Sequence, residues 1–385
     1  MERQSGQYVN CTTTGETYRA FLPTPLPPEP PLELDGDLLD LLAGANQALG
    51  RLDGMAAVLP DTRLFLYQYV RKEAVLSSQI EGTQSSLSDL LLFELDEAPG
   101  VPVDDTREVS RYVAAMEHGL RRMREGFPLS LRLLREIHAV LMDGARGSDK
   151  TPGEFRRSQV WLGGTRPGNA AFVPPPAERL MDCLDPFEHF LHHDSLPVLM
   201  KAGLAHAQFE TIHPFLDGNG RLGRLLITLL LCTEGLLAEP LLYLSLYFKL
   251  NRTEYYDRLN RIRTHGDWEG WMRFFLRGVR DTAQQAVDSA RRLLALFEQD
   301  RERIKELGRI AGSCLQLHEL LKQRPIVNIG QAAAATGINR TSISRCIGLL
   351  EEQGMLRELT GNRRNRLFVY DQYIQVLSEG TEPIR

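Results

Sequence analysis

Residues 213–231, with the sequence HPFLDGNGRLGRLLITLLL, place a polar, glycine-rich loop directly before an apolar segment. Glycines allow consecutive backbone N–H groups to converge, and the N-terminus of a following helix adds partial positive charge. Arg221 and Arg224 are three residues apart, so they share one face of the first helical turn. Cations at this end oppose the helix dipole, which costs stability unless an anion binds there. The segment therefore predicts a binding site for a polyphosphate.

Two further residues of this loop could do chemistry on a bound phosphate. A lone carboxylate beside phosphates, here Asp217, is a common ligand of Mg²⁺. A histidine beside an anion site, here His213, is a candidate general base. Ordinary explanations exist for each, since such a histidine can cap helix carbonyls and surface arginines are usually solvated. Those explanations would all have to hold within residues 213–224, so we favour a catalytic site.

The same loop matches the dinucleotide-binding pattern G-x-G-x-x-G through Gly218, Gly220 and Gly223. That fingerprint requires a preceding strand and a surrounding βαβ unit. The preceding segment, PVLMKAGLAHAQFETI, has helical composition and period, so we reject this interpretation.

The elements that must position the loop are predicted to be mainly α-helices. Leucines at helical spacing occupy 37–55, and an amphipathic pattern runs from a cap at Asp61/Thr62 to Gly82. Six prolines within 21–34 predict an extended spacer, because proline lacks the N–H that a helix needs. The segment 160–176, VWLGGTRPGNAAFVPPP, predicts a short hairpin or only a long connection. Further helical patterns cover 85–95, 105–125, 129–143, 177–193, 196–212, 222–235, 252–263 and 268–297.

The last part of the chain has the pattern of a winged helix-turn-helix domain. A short Ala-rich helix, a turn at 337–339, a helix over about 341–353 and two strands around TGNRRN follow one another. Residues 301–385 carry 13 Lys and Arg against 9 Asp and Glu, a net charge of +4. We expect DNA contact or, as the alternative, a small dimerisation or docking domain with a solvated basic loop. The candidate DNA-contacting residues are Arg340, Thr341, Ser342, Ser344 and Arg345 on the second helix, and Arg363, Arg364 and Arg366 on the wing.

Composition excludes several classes of protein. A net charge of −5 over 385 residues argues against a chain that coats nucleic acid or an anionic membrane with its whole surface. The five cysteines form no CxxC or Cys/His cluster, which suits a reducing compartment and offers no structural zinc site. No apolar run is long enough to cross a bilayer. We expect a soluble, cytoplasmic protein with no membrane partner.

The segment HPFLDGNGRLGR resembles the signature of the Fic family, His-Pro-Phe-x-Asp/Glu-Gly-Asn-Gly-Arg-x-x-Arg, with every defining position filled. The resemblance implies a Fic-type helical bundle whose members mostly transfer AMP from ATP to a hydroxyl side chain of another protein. It implies that His213 deprotonates that hydroxyl, that Phe215 anchors the loop in the core and that Asp217 holds Mg²⁺. The implied phosphate-binding residues are Gly218, Asn219, Gly220, Arg221, Leu222, Gly223 and Arg224, with Arg221 and Arg224 at the β/γ end.

Two other segments resemble parts of the same family. Val160, Trp161, Leu162 and Gly163 are similar to the flap, a β-hairpin strand that aligns the main chain of the target protein by strand pairing. Tyr255 and Tyr256, in NRTEYYDRL, are similar to a tyrosine pair that lines the nucleoside pocket.

SSQIEG, at 77–82, resembles the family's inhibitory pattern Ser/Thr-x-x-x-Glu-Gly/Asn through Ser77, Glu81 and Gly82. Glu81 is an anion at the negative end of a helix dipole, which costs up to about 1 kcal/mol unless a cation meets it. The resemblance implies that Glu81 pairs with Arg224 and thereby occupies the clamp needed for the γ-phosphate.

The sequence therefore predicts an autoinhibited protein adenylyltransferase that takes ATP and Mg²⁺. It acts on a Ser, Thr or Tyr hydroxyl of a target protein, and a homodimer is plausible. The predicted domains are an N-terminal helical region with the inhibitory helix (1–100), a Fic catalytic core (101–299) and the winged helix-turn-helix domain (300–385). Alternatives that stay open are a DNA-binding regulator with a nucleotide-sensing Fic body, a transferase with another donor (UMP or phosphocholine), and an enzyme that removes AMP from targets.

Overall fold

The protein is mainly α-helical, as the sequence predicts. A computed structural model describes residues 3–13, 15–58, 62–93, 103–144, 149–193, 195–361 and 366–383. The helices before residue 306 are α1 (Gly36–Val58), α2 (Thr62–Ile80), α3 (Leu87–Phe93), α4 (Val103–Arg124), α5 (Leu131–Met142), α6 (Leu180–Leu191), α7 (Val198–Ile212), α8 (Asn219–Thr233), α9 (Ser245–Leu250), α10 (Arg252–His265) and α11 (Trp268–Lys305). Each predicted helical range overlaps one of these helices, although α11 extends eight residues beyond its predicted end at 297, and α9 is not predicted. No helix in these described ranges combines the length and the apolar character needed to span a membrane.

Helices α7 and α8 form the centre of the body and are buried on every side. All residues of α7 from Leu199 to Ile212 are buried, and so is α8 from Arg221 to Leu231. A helix that is surrounded by protein needs apolar residues around its whole circumference. This explains the unbroken run LLITLLL, and it places the polar loop 213–218 between the two most buried helices.

An N-terminal β-hairpin is present that the sequence analysis missed. β1 (Gly6–Thr13) pairs antiparallel with β2 (Glu16–Pro23), and Gly15 turns the chain with φ +89°. Tyr18, Ala20 and Leu22 are buried on one side of β2, and Phe21 is buried on the other. The amide of Phe21 donates to the carbonyl of Val173 at 2.9 Å, so the hairpin packs against the end of segment 160–176. The extended proline-rich segment that follows agrees with prediction, since no helix or strand forms between Pro23 and α1.

Helix α2, which precedes the predicted inhibitory residue Glu81, is docked by polar as well as apolar contacts. Its N-terminus is at Thr62, and the predicted cap Asp61 lies outside the described residues. Glu73 of α2 accepts hydrogen bonds from the hydroxyl of Ser245 at 2.5 Å and from its amide at 3.1 Å. Ser245 is the first residue of α9, so α9 provides the surface on which the middle of α2 is held.

The C-terminal part has the elements that the sequence predicts for a winged helix-turn-helix domain. The predicted elements are α13 (Ile329–Thr336), α14 (Arg340–Glu352), β4 (Leu356–Glu358) and β5 (Leu367–Tyr370), and the sequence analysis did not predict α12 (Ala311–Gln323), β3 (Ile326–Asn328) and α15 (Asp371–Ser378). The strands form an antiparallel sheet in the order β3-β5-β4. α11 runs without interruption across residue 299, the predicted domain boundary.

The joint between α11 and this sheet gives a stability prediction. The hydroxyl of Tyr370 donates to Asp300 at 2.7 Å, and both side chains are buried. Removing the donor leaves a buried carboxylate with one partner fewer, which costs about 1–3 kcal/mol. We expect Tyr370→Phe to lower the free energy of unfolding by that amount in a urea titration. Tyr8→Phe, at a ring that is 41% exposed, is the control and should change it little. Equal effects of the two substitutions would contradict the prediction.

The burial of Glu73 gives a pH prediction. Burial raises the pKa of Glu73 to about 7 from 4.5, despite the hydrogen bonds from Ser245. Between these two values the folded protein binds more protons than the unfolded chain, so the free energy of unfolding falls as pH rises. Through Glu73, the free energy of unfolding falls by at most about 3 kcal/mol between pH 4.5 and 7. We expect Glu73→Gln to show a shallower fall than the wild type when urea unfolding is measured across this range. Parallel curves would show that Glu73 does not titrate in this way.

Candidate active site

The loop between α7 and α8 turns sharply at both ends. His213 caps α7 in the left-handed conformation, with φ 51° and ψ 62°. This conformation is costly for a residue with a Cβ and persists only where the surroundings enforce it. Gly218 caps the start of α8 at φ 74°, where glycine carries no such penalty. The free N–H groups of the first turn of α8 therefore point to the concave side of the loop.

Asn219 braces the loop from within. Its Oδ1 accepts from the amide of Phe215, and its Nδ2 donates to the carbonyl of the same residue, both at 2.9 Å. Phe215 is fully buried, as the resemblance implied. The side chain of Asn219 is thus used to hold the loop, while its backbone lies at the start of α8.

His138 of α5 supports the same loop, although the sequence analysis did not single it out. Its ring stacks on Phe215 with the centroids 3.8 Å apart and 10° between the planes. The amide of Gly153 donates to Nδ1 at 2.9 Å, which leaves the proton on Nε2, and Nε2 lies 3.0 Å from the carbonyl of Asp217. Burial lowers the pKa of His138 to about 4, so the ring is neutral and keeps this tautomer. The only sequence signal was a histidine at a position on the apolar face of α5, beside Leu134 and Leu141.

The candidate base His213 has a neutral imidazole at neutral pH. Burial lowers its pKa to about 4, and the cations Arg156 and Arg263 act in the same direction. Nδ1 is buried and has no hydrogen-bond partner among the described residues. A neutral imidazole with a free lone pair is the form that a general base requires.

Asp217 lies at the open side of the loop. Its side chain is 41% exposed, and Oδ1 accepts from the amide of Gly218 at 2.6 Å. Accessible carboxylate oxygens beside an anion site are the donor set that Mg²⁺ prefers. Asp217 is therefore the residue here that would hold a magnesium ion.

Arg221 is turned into the protein. Its guanidinium forms an ion pair with Glu108 of α4 at 3.0 Å, and both side chains are 2% exposed. Sequence reasoning did not find Glu108, because nothing in its spacing relates it to the loop. In this arrangement Arg221 ties α8 to α4, and its Nη2 lies 3.8 Å from Asp217.

The turn Gly218–Gly220 and the free backbone N–H groups that follow it at the start of α8 form the predicted anion-binding site, which we call the cradle. Glu81 lies in this cradle. A Cβ added to Gly220 would come within 2.2 Å of Oε1 of Glu81, so only glycine leaves room for this carboxylate. The guanidinium of Arg224 donates to Oε1 at 2.7 Å. Burial would raise the pKa of Glu81, but Arg224 lowers it below the usual value, so the carboxylate is ionised. A carboxylate therefore stands where the sequence predicts phosphate.

Ser77 and Gly82, the other two residues of the predicted inhibitory pattern, have separate roles. Arg224 donates from Nε to the hydroxyl of Ser77 at 2.9 Å and from Nη2 to its carbonyl at 3.0 Å. Gly82 ends α2 with φ 105°, which turns the chain away after Glu81. Ser77, Glu81 and Arg224 are thus brought together as the inhibitory pattern implied.

The two tyrosines differ in their surroundings. Tyr255 is buried, and its hydroxyl lies 2.9 Å from Nε2 of His206, whose Nδ1 lies 2.8 Å from the carbonyl of Gly223. Tyr255 therefore supports α8 through His206. Tyr256 is 42% exposed and packs against Tyr255 with the ring centroids 5.0 Å apart and 52° between the planes. Only Tyr256 of this pair is accessible to a ligand.

Segment 160–176 forms a minimal hairpin. Leu162 and Phe172 exchange two backbone hydrogen bonds of 2.8 and 3.1 Å, and a 3₁₀ turn at Pro167–Asn169 closes the loop. Gly163 takes φ 68° next to this bridge, while Val160 is half-buried and Trp161 is 40% exposed. The predicted hairpin is therefore present, although its pairing is limited to one bridge.

The predicted DNA-contacting residues are accessible on α14. Arg340, Thr341, Ser344 and Arg345 are exposed and Ser342 is half-buried, with its amide bonded to the cap Asn339. Arg366 pairs with Glu358 at 3.3 Å, and Arg363 and Arg364 lie outside the described residues. DNA contact stays a prediction.

Comparison with known proteins agrees with this geometry. Residues 39–121 match the N-terminal domain of the Fic/DOC family, and residues 128–231 match the Fic/DOC family. The chain is 32% identical over 195 residues to the protein adenylyltransferase Fic of Drosophila virilis and 31% identical to that of Drosophila grimshawi. These matches cover 49% of this chain but only 36% of each relative.

Two solved structures share the fold. A Fic family protein from Desulfovibrio desulfuricans superposes with a TM-score of 0.58 at 20% identity, over 89% of this chain and 98% of the other. A Fic domain containing signaling protein from Bacteroides thetaiotaomicron gives 0.52 at 16% identity, over 64% and 97% of the two chains. The sequence matches, the shared fold and the filled signature on the loop before α8 agree: residues 39–121 and 128–231 are similar to the N-terminal domain and the Fic domain of the Fic/DOC family.

Proposed function

We infer that this protein is an adenylyltransferase that moves AMP from ATP to a Ser, Thr or Tyr hydroxyl of a target protein, and that Glu81 holds it inactive. The observation that carries this proposal is the Glu81 carboxylate bound by Arg224 in the cradle at the start of α8. An anion held at that point marks a site built for negative charge. The names of the Drosophila relatives support the same reaction.

The residues around the cradle fit the reaction that the resemblance to the Fic family implies, with attack at the α-phosphorus. The neutral imidazole of His213 takes the proton from the target hydroxyl, whose oxygen then attacks the α-phosphorus of ATP. A new O–P bond forms, the bond between the α-phosphorus and the bridging oxygen breaks, and pyrophosphate leaves. Arg224 and the N–H groups at the start of α8 neutralise the charge that develops on the leaving group.

Asp217 is the residue that would hold a magnesium ion in this site. When bound, the ion supplies positive charge to the phosphate oxygens next to the bond that breaks. Asn219 and His138 keep the backbone on either side of Asp217 in place, through Phe215 and through the Asp217 carbonyl.

Glu81 blocks this reaction by pairing with Arg224, the cation that the phosphates of the nucleotide need. The guanidinium of Arg224 is 2% exposed and is already bonded to Glu81 and Ser77. A γ-phosphate that approaches Arg224 meets the ionised Glu81 first and is repelled. ATP then either stays out or binds with its phosphates misplaced.

Substitution of Glu81 tests the proposal. We expect Glu81→Gly to raise incorporation of label from α-³²P-ATP with Mg²⁺, into the protein itself or an added acceptor, by about 10-fold or more. A hydrogen bond to a charged group is worth about 1.5–3 kcal/mol, and 1.4 kcal/mol corresponds to a factor of ten. His213→Ala in the same background should abolish the labelling.

Gln84→Gly is the matched control for this experiment. Gln84 is an exposed residue in the same turn, and its replacement leaves Arg224 and Glu81 paired. It should label no faster than the wild type. Equal labelling by the wild type and Glu81→Gly would overturn the autoinhibition, and no labelling by any variant would overturn the transferase assignment. Mass spectrometry of the labelled acceptor distinguishes AMP from UMP and phosphocholine.

A further inference from the structure

Arg156 is a buried arginine that the reaction above does not use. Its side chain is 2% exposed, and its guanidinium donates to four backbone carbonyls: Ile212 at 3.4 Å, His213 at 2.8 Å, Ser158 at 3.3 Å and Pro175 at 2.6 Å. Its own amide donates to the carbonyl of Pro214 at 2.9 Å. Burial lowers the pKa of Arg156 to about 10, so it remains charged at neutral pH. One side chain thus connects two separate segments of the site.

The first of these segments is the turn that presents the candidate base. The last carbonyls of a helix have no partner within it, and His213 leaves α7 in a left-handed conformation. Arg156 satisfies the carbonyls of Ile212 and His213, and its amide satisfies that of Pro214. Arg156 therefore supplies contacts that hold His213 in its strained conformation.

The second segment is the base of the hairpin at 160–176. Ser158 precedes its first strand and Pro175 follows its second, so Arg156 bonds both sides of the base. Gln159 reinforces this base, because its Nε2 donates to the carbonyls of Val160 and Pro174 at 2.9 and 3.1 Å. The hairpin is fixed at the same guanidinium that fixes His213.

The cradle for phosphate is braced by other residues. Asn219 bonds both backbone groups of Phe215, and His138 bonds the carbonyl of Asp217. None of these contacts involves Arg156. Arg156 therefore holds His213 and the hairpin, whereas Asn219 and His138 hold the phosphate-binding backbone.

We propose that Arg156 is a positioning residue that sets the hairpin strand 160–163 in register with His213, and so places the target hydroxyl against the base. This inference rests on the proposed transferase function. Arg156 acts on the rate of AMP transfer and leaves ATP affinity unchanged. Lysine cannot replace it, since an ammonium group cannot reach four carbonyls that a planar guanidinium bonds together.

Arg156→Lys and Arg156→Gln in the Glu81→Gly background test this role. The measurement is the rate of self-labelling from α-³²P-ATP as a function of ATP concentration. We expect the limiting rate to fall about 100-fold, the size of effect that a 1 Å misplacement produces. The ATP concentration at half-maximal rate should stay within about twofold of the background, because the cradle is braced separately. Arg179→Lys is the matched control, since Arg179 follows the same hairpin but is 51% exposed and pairs only with Asp182.

The outcomes separate this inference from the proposed function. If the Glu81→Gly background itself does not label, the transferase proposal fails. If the background labels and both Arg156 variants keep a limiting rate within twofold, the positioning role is wrong. It is also wrong if half-maximal ATP rises in step with the fall in rate, or if both variants unfold at temperatures where Arg179→Lys is folded, because Arg156 would then only stabilise the fold.

Discussion

Arg224 is a buried cation, and a buried cation must be paired. Arg224 adds positive charge next to the glycine-rich turn at the start of α8. Its side chain is 2% exposed, so an unpaired guanidinium at this position would be costly. In the absence of nucleotide the protein meets this requirement from its own chain, through Glu81 and Ser77 at the end of α2. The proposed inhibition and the stability of this region therefore depend on the same contact, since Glu81 both neutralises Arg224 and lies at the proposed phosphate site.

This requirement explains why α2 is held so firmly. Glu73 is bonded to Ser245 in the middle of the helix, and Gln79 donates from Nε2 to the carbonyls of Ser85 and Thr381 at 2.9 and 2.8 Å. Thr381 lies in the C-terminal segment beyond α15. α2, the helix that precedes Glu81, is thus bound on one side by α9 and on another by the C-terminal segment that contains Thr381.

The loop between α7 and α8 shows a division between backbone and side chains. The backbone N–H groups at the start of α8 are left for an anion, while the side chains that look able to bind phosphate are partly used for support. Asn219 braces Phe215, and Arg221 pairs with Glu108. A pattern of residue types identifies the loop, but the direction of each side chain depends on what the neighbouring helices offer it.

The sequence by itself determined the helical body and the glycine-rich, cationic turn at the start of α8, whereas the pairing of Glu81 with Arg224 was implied by the resemblance to the Fic family. Helical period, glycine conformational freedom and the charge at a helix end are local properties, so they can be read along the chain. The tertiary structure alone decided the roles of His138, Glu108 and Arg156. The three contacts are Arg156–His213, His138–Asp217 and Glu108–Arg221, and the two residues of each contact are 57 to 113 positions apart in the sequence. Folding buries carbonyls and charges that are distant in the sequence, and these groups need hydrogen-bond or ion-pair partners once they are buried. Residue spacing along the chain does not predict which partners they find.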